Sequence, residues 1–255
     1  MNESLYIAAT GMQAQQLSID ATANNLANVS TAGFKKGRVN FQEMMHVEPA
    51  AAGTGKPAPL GLGISVGGIA RDFAPGPLTQ TGAAMDLAID GNGFLEVVLA
   101  DGSRGYSRGG TLQVSKDGYL ADAGGHVLRP AIAMPAGADQ LQISADGKVS
   151  VRMAGQDSRR LELGQLELAH FANPGALQQV AGGVYVPGEG SGDAVYGKAG
   201  VQGLGRFAQG ALENSNVTLV DEMVTLMVAQ RAYEMGSKVI QASDELMSMT
   251  NNLRR

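Results

Sequence analysis

The sequence predicts an α+β fold, with N- and C-terminal helices forming a coiled-coil-like pair and a central, mainly antiparallel β domain between them in the chain. Two observations lead to this prediction. Apolar residues recur every seven positions near both ends of the chain, which is typical of helices that pack against another helix. Over roughly residues 60–210, the pattern changes to an alternation with a period of two, interrupted by turn dipeptides.

The N-terminal helix is predicted from a single apolar stripe. The stripe has heptad spacing and consists of Leu5, Met12, Ile19 and Leu26, with the small or polar Ala8, Gln15 and Thr22 between them. Asn, Ser, Thr and Gly cluster at residues 28–33, and glycine readily adopts the left-handed conformation that ends a helix. We therefore expect the helix to end within this cluster.

The C-terminal helix is predicted to begin at the N-cap Asn216, with Asp221 and Glu222 near the positive end of the helix dipole. It carries two apolar rows. The first row is Val228, Ala232, Met235, Val239, Ala242, Leu246, Met249 and Leu253, and the second is Leu226, Tyr233, Ile240 and Met247. One N-terminal stripe is too narrow to cover both rows, so neighbouring copies are expected to cover the remainder. The alternative is that the heptad stripes form only an intramolecular core.

The clearest hairpin in the middle of the chain pairs two alternating segments across Asp146 and Gly147. Leu141 and Ile143 alternate with polar residues before the turn, as do Val149 and Val151 after it. Further along, the apolar parity changes between Leu161/Leu163 and Leu166/Leu168, and a β-bulge at Gly164 would restore a common face. The expected segments are an N-terminal assembly helix with its following turn (1–45), a linker or extended segment (46–70), the β domain (71–205) and a C-terminal assembly helix (206–255).

Composition argues against several classes of function. The net charge is −5 and the basic residues are scattered, so nucleic acid is not an expected partner. There are no cysteines, which excludes disulfides and thiolate metal sites. The N-terminus lacks a basic region followed by an apolar segment, and no apolar run is long enough to span a membrane. We therefore expect neither membrane insertion nor a cleaved signal peptide, and export would need another route.

The motifs that suggest catalysis lack the required context. Residues 63–67 (GISVG) match the nucleophile elbow around Ser65, but a Pro/Gly-rich segment precedes them and no helical pattern follows. His46, His126 and His170 stand far apart, without the spacing of metal ligands. We expect no catalytic, cofactor or metal site.

Motifs at both ends of the chain resemble those of a known family. Residues 23–35 (ANNLANVSTAGFK) and 210–234 (GALENSNVTLVDEMVTLMVAQRAYE) closely resemble the two terminal signatures of the flagellar rod and hook proteins. In the middle, residues 76–82, 86–94 and 106–108 agree with the same family. The opening SLYIAATG most resembles its distal-rod (G-type) branch, and the proximal (F-type) branch is the alternative.

The resemblance implies a structural subunit of the distal rod that polymerises helically into a hollow axle, transmits torque to the hook and encloses the export channel. The implied partners are further copies of the chain, proximal rod proteins, the hook protein, outer-membrane ring proteins and the flagellar type III export apparatus. The implied location is the basal body, where the rod spans the periplasm. Outside the family, the alternative is a β-rich extracellular binding module that dimerises through its helices.

The expected assembly interface combines the heptad rows with residues of the two signatures. It comprises Leu5, Met12, Ile19, Asn24, Asn25, Leu26, Asn28, Gly33, Phe34, Val228, Arg231, Tyr233, Met235, Val239, Ile240, Leu246, Met249 and Leu253.

Overall fold

A computed structural model describes residues 2–47, 59–153 and 160–253. The chain divides into two compact units. The helical unit comprises Met1–Ala27, Gly37–Ala70 and Thr218–Arg255, and the β unit comprises Asn28–Lys36 and Arg71–Val217. Each unit is therefore built from segments that lie far apart in the sequence.

The helical unit contains two long helices and a pair of strands. Helix α1 spans Asn2–Ala27 and helix α2 spans Leu219–Leu253. The helices run antiparallel, because Met12 lies against Gly236 while Asn25 lies against Glu222. Strands β1 (Gly37–Val47) and β2 (Pro59–Arg71) pair with each other, and Gly63 of β2 lies against Thr10 of α1. The predicted helix pair is confirmed.

Several predicted boundaries differ from the observed ones. The expected linker or extended segment at 46–70 includes most of strand β2, and the segment 206–255 enters its helix only at Leu219. Asn216 was wrongly predicted as the N-cap, because its side chain accepts a hydrogen bond from the Lys36 amide (2.8 Å) and donates to the carbonyl of Asp72 (2.8 Å). Thr218 holds the first turn instead: its carbonyl accepts the Glu222 amide and its hydroxyl donates to Asp221.

The β unit is built from short strands. They are β3 (Leu78–Gln80), β4 (Asp86–Asp90), β5 (Leu95–Val98), β6 (Arg104–Ser107), β7 (Gly109–Thr111), β8 (Gln113–Val114), β9 (Leu120–Ala121), β10 (Val127–Arg129), β11 (Ala138–Ile143), β12 (Lys148–Met153), β13 (Arg160–Gln165), β14 (Leu168–His170), β15 (Gln178–Gln179), β16 (Val184–Val186), β17 (Val195–Gly197), β18 (Arg206–Gln209) and β19 (Ala211–Glu213). Two short 3-10 helices, Pro174–Ala176 and Ala181–Gly183, flank β15.

The strands of the β unit form one large sheet and several small ones. The large sheet has the order β15-β16-β6-β5-β10-β9-β8, and the smaller ones are β11-β12-β13, β18-β4-β7, β14-β17 and β19-β3. The strand pairs whose register is described are antiparallel. The predicted mainly antiparallel β domain is confirmed.

The predicted hairpin and bulge are both present. Leu141 lies opposite Val151 and Ile143 opposite Val149, and all four side chains are buried. The register of β12 against β13 shifts at Gly164, as the parity change predicts. The prediction of a common apolar face is wrong for Leu161. This side chain is 49% exposed, because β13 lies at the edge of its sheet.

Two apolar clusters form the core of the β unit. The larger is aliphatic and includes Leu87, Leu128 and Val149. The smaller is aromatic: Phe94 and Phe171 make an edge-to-face contact with each other. Phe94 makes a second such contact with Phe73, and Phe171 makes one with Tyr106. Members of both clusters lie on short strands, such as Leu87 and Tyr106, and in the segments that connect the strands, such as Leu166 and Phe171.

The Asp146-Gly147 turn allows a direct stability test. Gly147 has φ +88°, and a Cβ there would lie 2.5 Å from the Leu166 carbonyl oxygen and 2.9 Å from the Phe207 ring. We predict that Gly147→Ala lowers the free energy of unfolding by about 2–5 kcal/mol, through backbone strain and overpacking. Gly102 has φ +81° with nothing within 4 Å, so Gly102→Ala should cost only about 1–2 kcal/mol. Urea unfolding compares the two, and equal losses would contradict the steric argument.

Candidate assembly surface and its buried support

The predicted α1 stripe lies in the packed part of the helical unit. Leu5, Met12, Ile19 and Leu26 are all half-buried. Met12 contacts α2 at Gly236, where an added Cβ would come within 2.6 Å of the Met12 side chain. The small residue at this position therefore lets the two helices approach closely at Met12.

The two apolar rows of α2 have different environments. Leu226, Ile240 and Met247 of the second row are half-buried, while Tyr233 is 40% exposed. The first row includes five large side chains that are 54–62% exposed, which we call the α2 ridge: Val228, Met235, Val239, Leu246 and Met249. Arg231, which borders the ridge, is exposed and pairs with Glu234 at 3.1 Å. The side chain of Leu253 lies outside the described residues.

Asn25 was predicted at the assembly interface, but its side chain is buried within the helical unit. Its Oδ1 accepts the Gly37 amide at 2.8 Å, and its Nδ2 donates to the Gly37 carbonyl at 2.9 Å and to Glu222 Oε2 at 3.1 Å. These bonds join the end of α1 to the start of β1 and the first turn of α2. Asn24 is exposed, and Asn28 is half-buried and accepts two hydrogen bonds from Thr31.

Gly33 and Phe34 are likewise engaged inside the chain, in the β unit. Gly33 has φ +70°, and its amide donates to the Glu213 carbonyl at 2.7 Å. Phe34 is buried, and the Arg71 guanidinium lies 5.4 Å from its ring centroid. Asn25, Gly33 and Phe34 are thus placed in intramolecular contacts, unlike the α2 ridge.

Lys35, Arg108 and Glu213 form a buried charge cluster in the β unit. Lys35 Nζ lies 2.7 Å from Glu213 Oε1, and Arg108 Nε lies 3.0 Å from Glu213 Oε2. All three side chains are at most 3% exposed. Two cations therefore share one carboxylate away from water, which is stable only if the remaining donors also find acceptors.

Backbone groups satisfy the remaining donors and acceptors of the cluster. Arg108 donates to the carbonyls of Gly93 (2.6 Å), Gly91 (2.9 Å) and Ile89 (3.3 Å), and Lys35 donates to that of Ala74 (2.7 Å). Their partial negative charges offset the second cation. The Gly76 amide donates to Glu213 Oε1 at 2.9 Å, which adds a third donor to the carboxylate.

Burial and ion pairing shift the pKa values of these groups in opposite directions. Burial alone would raise the pKa of Glu213, but Arg108 and Lys35 outweigh it and hold the pKa below its ordinary value. Burial lowers the pKa of Lys35, and the hydrogen bond to Glu213 only partly opposes that change. Nearby, burial raises the pKa of Tyr185 to about 12, and its hydroxyl has no protein partner among the described residues.

The motifs that contain this cluster are recognisable in the sequence, but the role of their charges is not. Lys35 ends the first signature, Arg108 ends the YSR motif of residues 106–108, and Glu213 lies in the second signature. Polar or charged residues surround each of the three in its motif, so the sequence offered no signal that singled them out. Only the fold shows that the three motifs meet at one carboxylate.

The candidate catalytic residues have environments that do not match their motifs. Ser65 lies within strand β2, with more strand on both sides, so residues 63–67 do not form the strand-turn-helix of a nucleophile elbow. His126 pairs with Asp122 at 3.0 Å, and His170 lies in β14, while the side chain of His46 is outside the described residues. Among the described residues, no group of three or more His, Asp or Glu could hold a metal ion. No helix in the described part of the chain is long and apolar enough to cross a membrane.

Comparisons with known proteins agree with the motif analysis. Residues 5–35 match the family model "Flagella basal body rod protein", residues 88–151 match "Flagellar hook protein FlgE/F/G D1 domain", and residues 208–253 match "Flagellar basal body rod FlgEFG protein C-terminal". The three matched ranges include Lys35, Arg108 and Glu213, respectively, so each member of the buried cluster falls within a family model.

Several curated proteins are similar over their full length. The chain is 38% identical to the flagellar basal-body rod protein FlgG of Borreliella burgdorferi, and 36% identical to FlgG of Bacillus subtilis, covering 100% of both chains in each case. It is 32% identical to the rod protein FlgF of Escherichia coli, over 99% of this chain and 98% of that protein.

Removal of the shared carboxylate should destabilise the β unit. We predict that Glu213→Gln lowers the free energy of unfolding by about 3–5 kcal/mol, because it leaves two buried cations without a counter-charge. The matched control is Lys36→Met, which breaks an exposed 3.9 Å pair with Asp72 and should cost at most about 1 kcal/mol. Chemical denaturation at neutral pH measures both, and similar small losses would show that the cluster contributes little.

The same cluster predicts a dependence on acid pH. The folded pKa of Glu213 lies below its ordinary value of 4.5, so its stabilisation is complete above that pH and is lost as the pH falls through the folded pKa. Denaturation of the wild type and Glu213→Gln across about pH 7 to 3 should therefore show a converging difference in stability. A difference that stays constant with pH would exclude an ionised Glu213 as its source.

Proposed function

Because the chain belongs to the family of flagellar basal-body rod and hook proteins, we propose that it is a structural subunit of the distal rod and polymerises helically through its terminal helices. Support for the distal assignment comes from the full-length relatives named FlgG, at 35–38% identity, compared with 32% for the FlgF relative. FlgF is the proximal (F-type) candidate, and the match to it makes that role the second assignment.

The observation that carries the assembly proposal is the α2 ridge. Its five large apolar side chains extend over several turns of one helix and remain more than half exposed. Burying the exposed half of each would contribute roughly 4–7 kcal/mol per subunit. Association itself costs at least about 4 kcal/mol in lost motion, so one such contact gives a weak dimer. A helical polymer would be stable, because each subunit contacts several neighbours at once.

The remaining parts of the proposal follow from a rod built in this way. The terminal helices form the wall of a hollow axle that encloses the export channel and transmits torque. The partners are further copies of the chain, proximal rod proteins, the hook protein and the outer-membrane ring proteins. The subunit is exported by the flagellar type III apparatus to the periplasm-spanning part of the basal body. The role is structural and non-catalytic, which agrees with a Ser65 motif placed in a strand.

Electron microscopy of the concentrated protein tests the assembly proposal. We expect filaments or tubes from the wild type and none from Val239→Asp, because a charge buried without a partner costs several kcal/mol. The control is Gln241→Asp, which adds the same charge at an exposed polar position of α2. Discrete dimers of the wild type would instead support an extracellular binding module that dimerises through its helices.

Complementation distinguishes the two rod assignments. We expect the chain to restore swimming to a bacterium that lacks its own FlgG and not to one that lacks FlgF. The reverse result would assign the chain to the proximal rod.

A further inference from the structure

An open groove lies beside the α2 ridge, between α1 and α2. It has a volume of about 410 Å³ and is lined by Ile7, Ala8, Gly11, Met12, Gln15, Ala232, Gly236 and Val239. Gln15 is its one polar residue, and no charged side chain lines it. The groove exists because Ala8, Gly11, Ala232 and Gly236 have little or no side chain. A ligand for such a surface must be apolar and narrow enough to fit between two helices.

The α2 ridge has the properties that such a groove requires. Leu246 and Met249 are large, apolar and more than half exposed, and methionine adapts its shape to irregular gaps. They cannot enter the groove of their own chain, because they lie on the same continuous helix beyond its groove-lining residues. Val239 belongs to both ridge and groove, so the two form one continuous apolar surface. Ridges of one helix packing into grooves between others is the usual geometry of helix contacts.

The charges beside the ridge favour another copy of this chain as the occupant. Arg231 and Lys238 are exposed next to the groove, whereas Asp244 and Glu245 are exposed next to Leu246. Two parallel copies in register would place Lys238 beside Lys238 and Glu245 beside Glu245. A stagger of one heptad places Lys238 beside Glu245, and a stagger of two places Arg231 there. Either displacement, about 10 or 21 Å along the helix, brings Leu246 to the level of the groove.

We propose that the groove between α1 and α2 receives Leu246 and Met249 of a second copy of this chain, so that successive copies dock head to tail. This inference rests on the proposed rod function and specifies the contact that makes it. Groove and ridge are different surfaces, so the contact is heterologous: each bound copy leaves one groove and one ridge unfilled. Growth can therefore continue at both ends of a row.

Engineered cysteines map the contact directly, because the chain contains no native cysteine. The variants Ala232→Cys/Leu246→Cys and Val239→Cys/Leu246→Cys each place one thiol in the groove and one on the ridge, for the two-heptad and the one-heptad stagger respectively, so one of them should cross-link. Under mild oxidation of the concentrated full-length protein, we expect a ladder of covalent oligomers. The control Ala232→Cys/Gln241→Cys moves the second thiol to an exposed position off the ridge, and should give no ladder.

The outcomes separate this inference from the rod proposal. Covalent dimers without larger species would show a closed antiparallel pair and overturn head-to-tail docking. Filaments in the microscope without ridge-to-groove cross-links, or with an equal ladder in the control, would overturn the docking site and leave the rod function standing. Failure of the wild type to form any polymer would overturn both.

Filling the groove gives a second test that does not depend on cross-linking. An added Cβ at Gly11 meets nothing within 4 Å, so this position accepts a larger side chain without a clash. We expect Gly11→Leu to occupy the groove, to fold like the wild type and to raise the critical concentration for polymerisation at least about tenfold. Gly11→Ala keeps most of the space and should polymerise like the wild type. If Gly11→Leu polymerised as readily as Gly11→Ala, the groove would not be the docking site.

Discussion

The pairing of one buried carboxylate with two buried cations is the constraint on which the architecture of the β unit depends. Glu213 accepts hydrogen bonds from Lys35, which follows α1 in the chain, from Arg108, which lies between β6 and β7, and from the backbone amide of Gly76. Each donor comes from a different part of the sequence. An unpaired ion buried at this position would cost several kcal/mol, so each segment is stable there only when the other two are also in place.

A neutral cluster of the same size would hold these segments together without fixing their register as closely. Arg108 spans the cluster: its guanidinium bonds Glu213 on one side and the carbonyls of Gly91 and Gly93 on the other. The carbonyl ligands belong to the loop between β4 and β5, which is rich in glycine and could otherwise adopt several conformations. Directional bonds to a planar guanidinium select one of them. The cluster thus combines stability with conformational specificity.

The helical unit differs from the β unit in this respect. The polar groups around Asn25 are paired within the chain, whereas the apolar side chains of the α2 ridge are left exposed. Asn25 ties together Gly37 and Glu222 and leaves no requirement for a partner. Along α2, however, Gly236 packs against α1 while the α2 ridge is exposed to solvent. This asymmetry connects the fold to the proposed polymer: the residues that set the shape of the subunit are separate from those that remain available to a neighbour.

The sequence by itself determined the features that depend on local pattern. Heptad spacing located both helices, alternation located the hairpin across Asp146 and Gly147, and the parity change at Gly164 located a bulge. The width of the apolar surface on α2 likewise showed that α1 could not cover it. These predictions succeed because periodicity reflects which face of an element is buried, whatever buries it.

Only the tertiary structure decided the features that depend on residues distant in sequence. Periodicity could not show that Asn25 and Phe34 point inward, that Asn216 bonds Lys36 instead of capping α2, or that strand β2 packs beside α1. Nor could it predict that Lys35, Arg108 and Glu213 meet at one point, because each is an ordinary charged residue within its own segment. Long-range pairing of polar groups has no period along the chain, so it becomes visible only when the chain is folded.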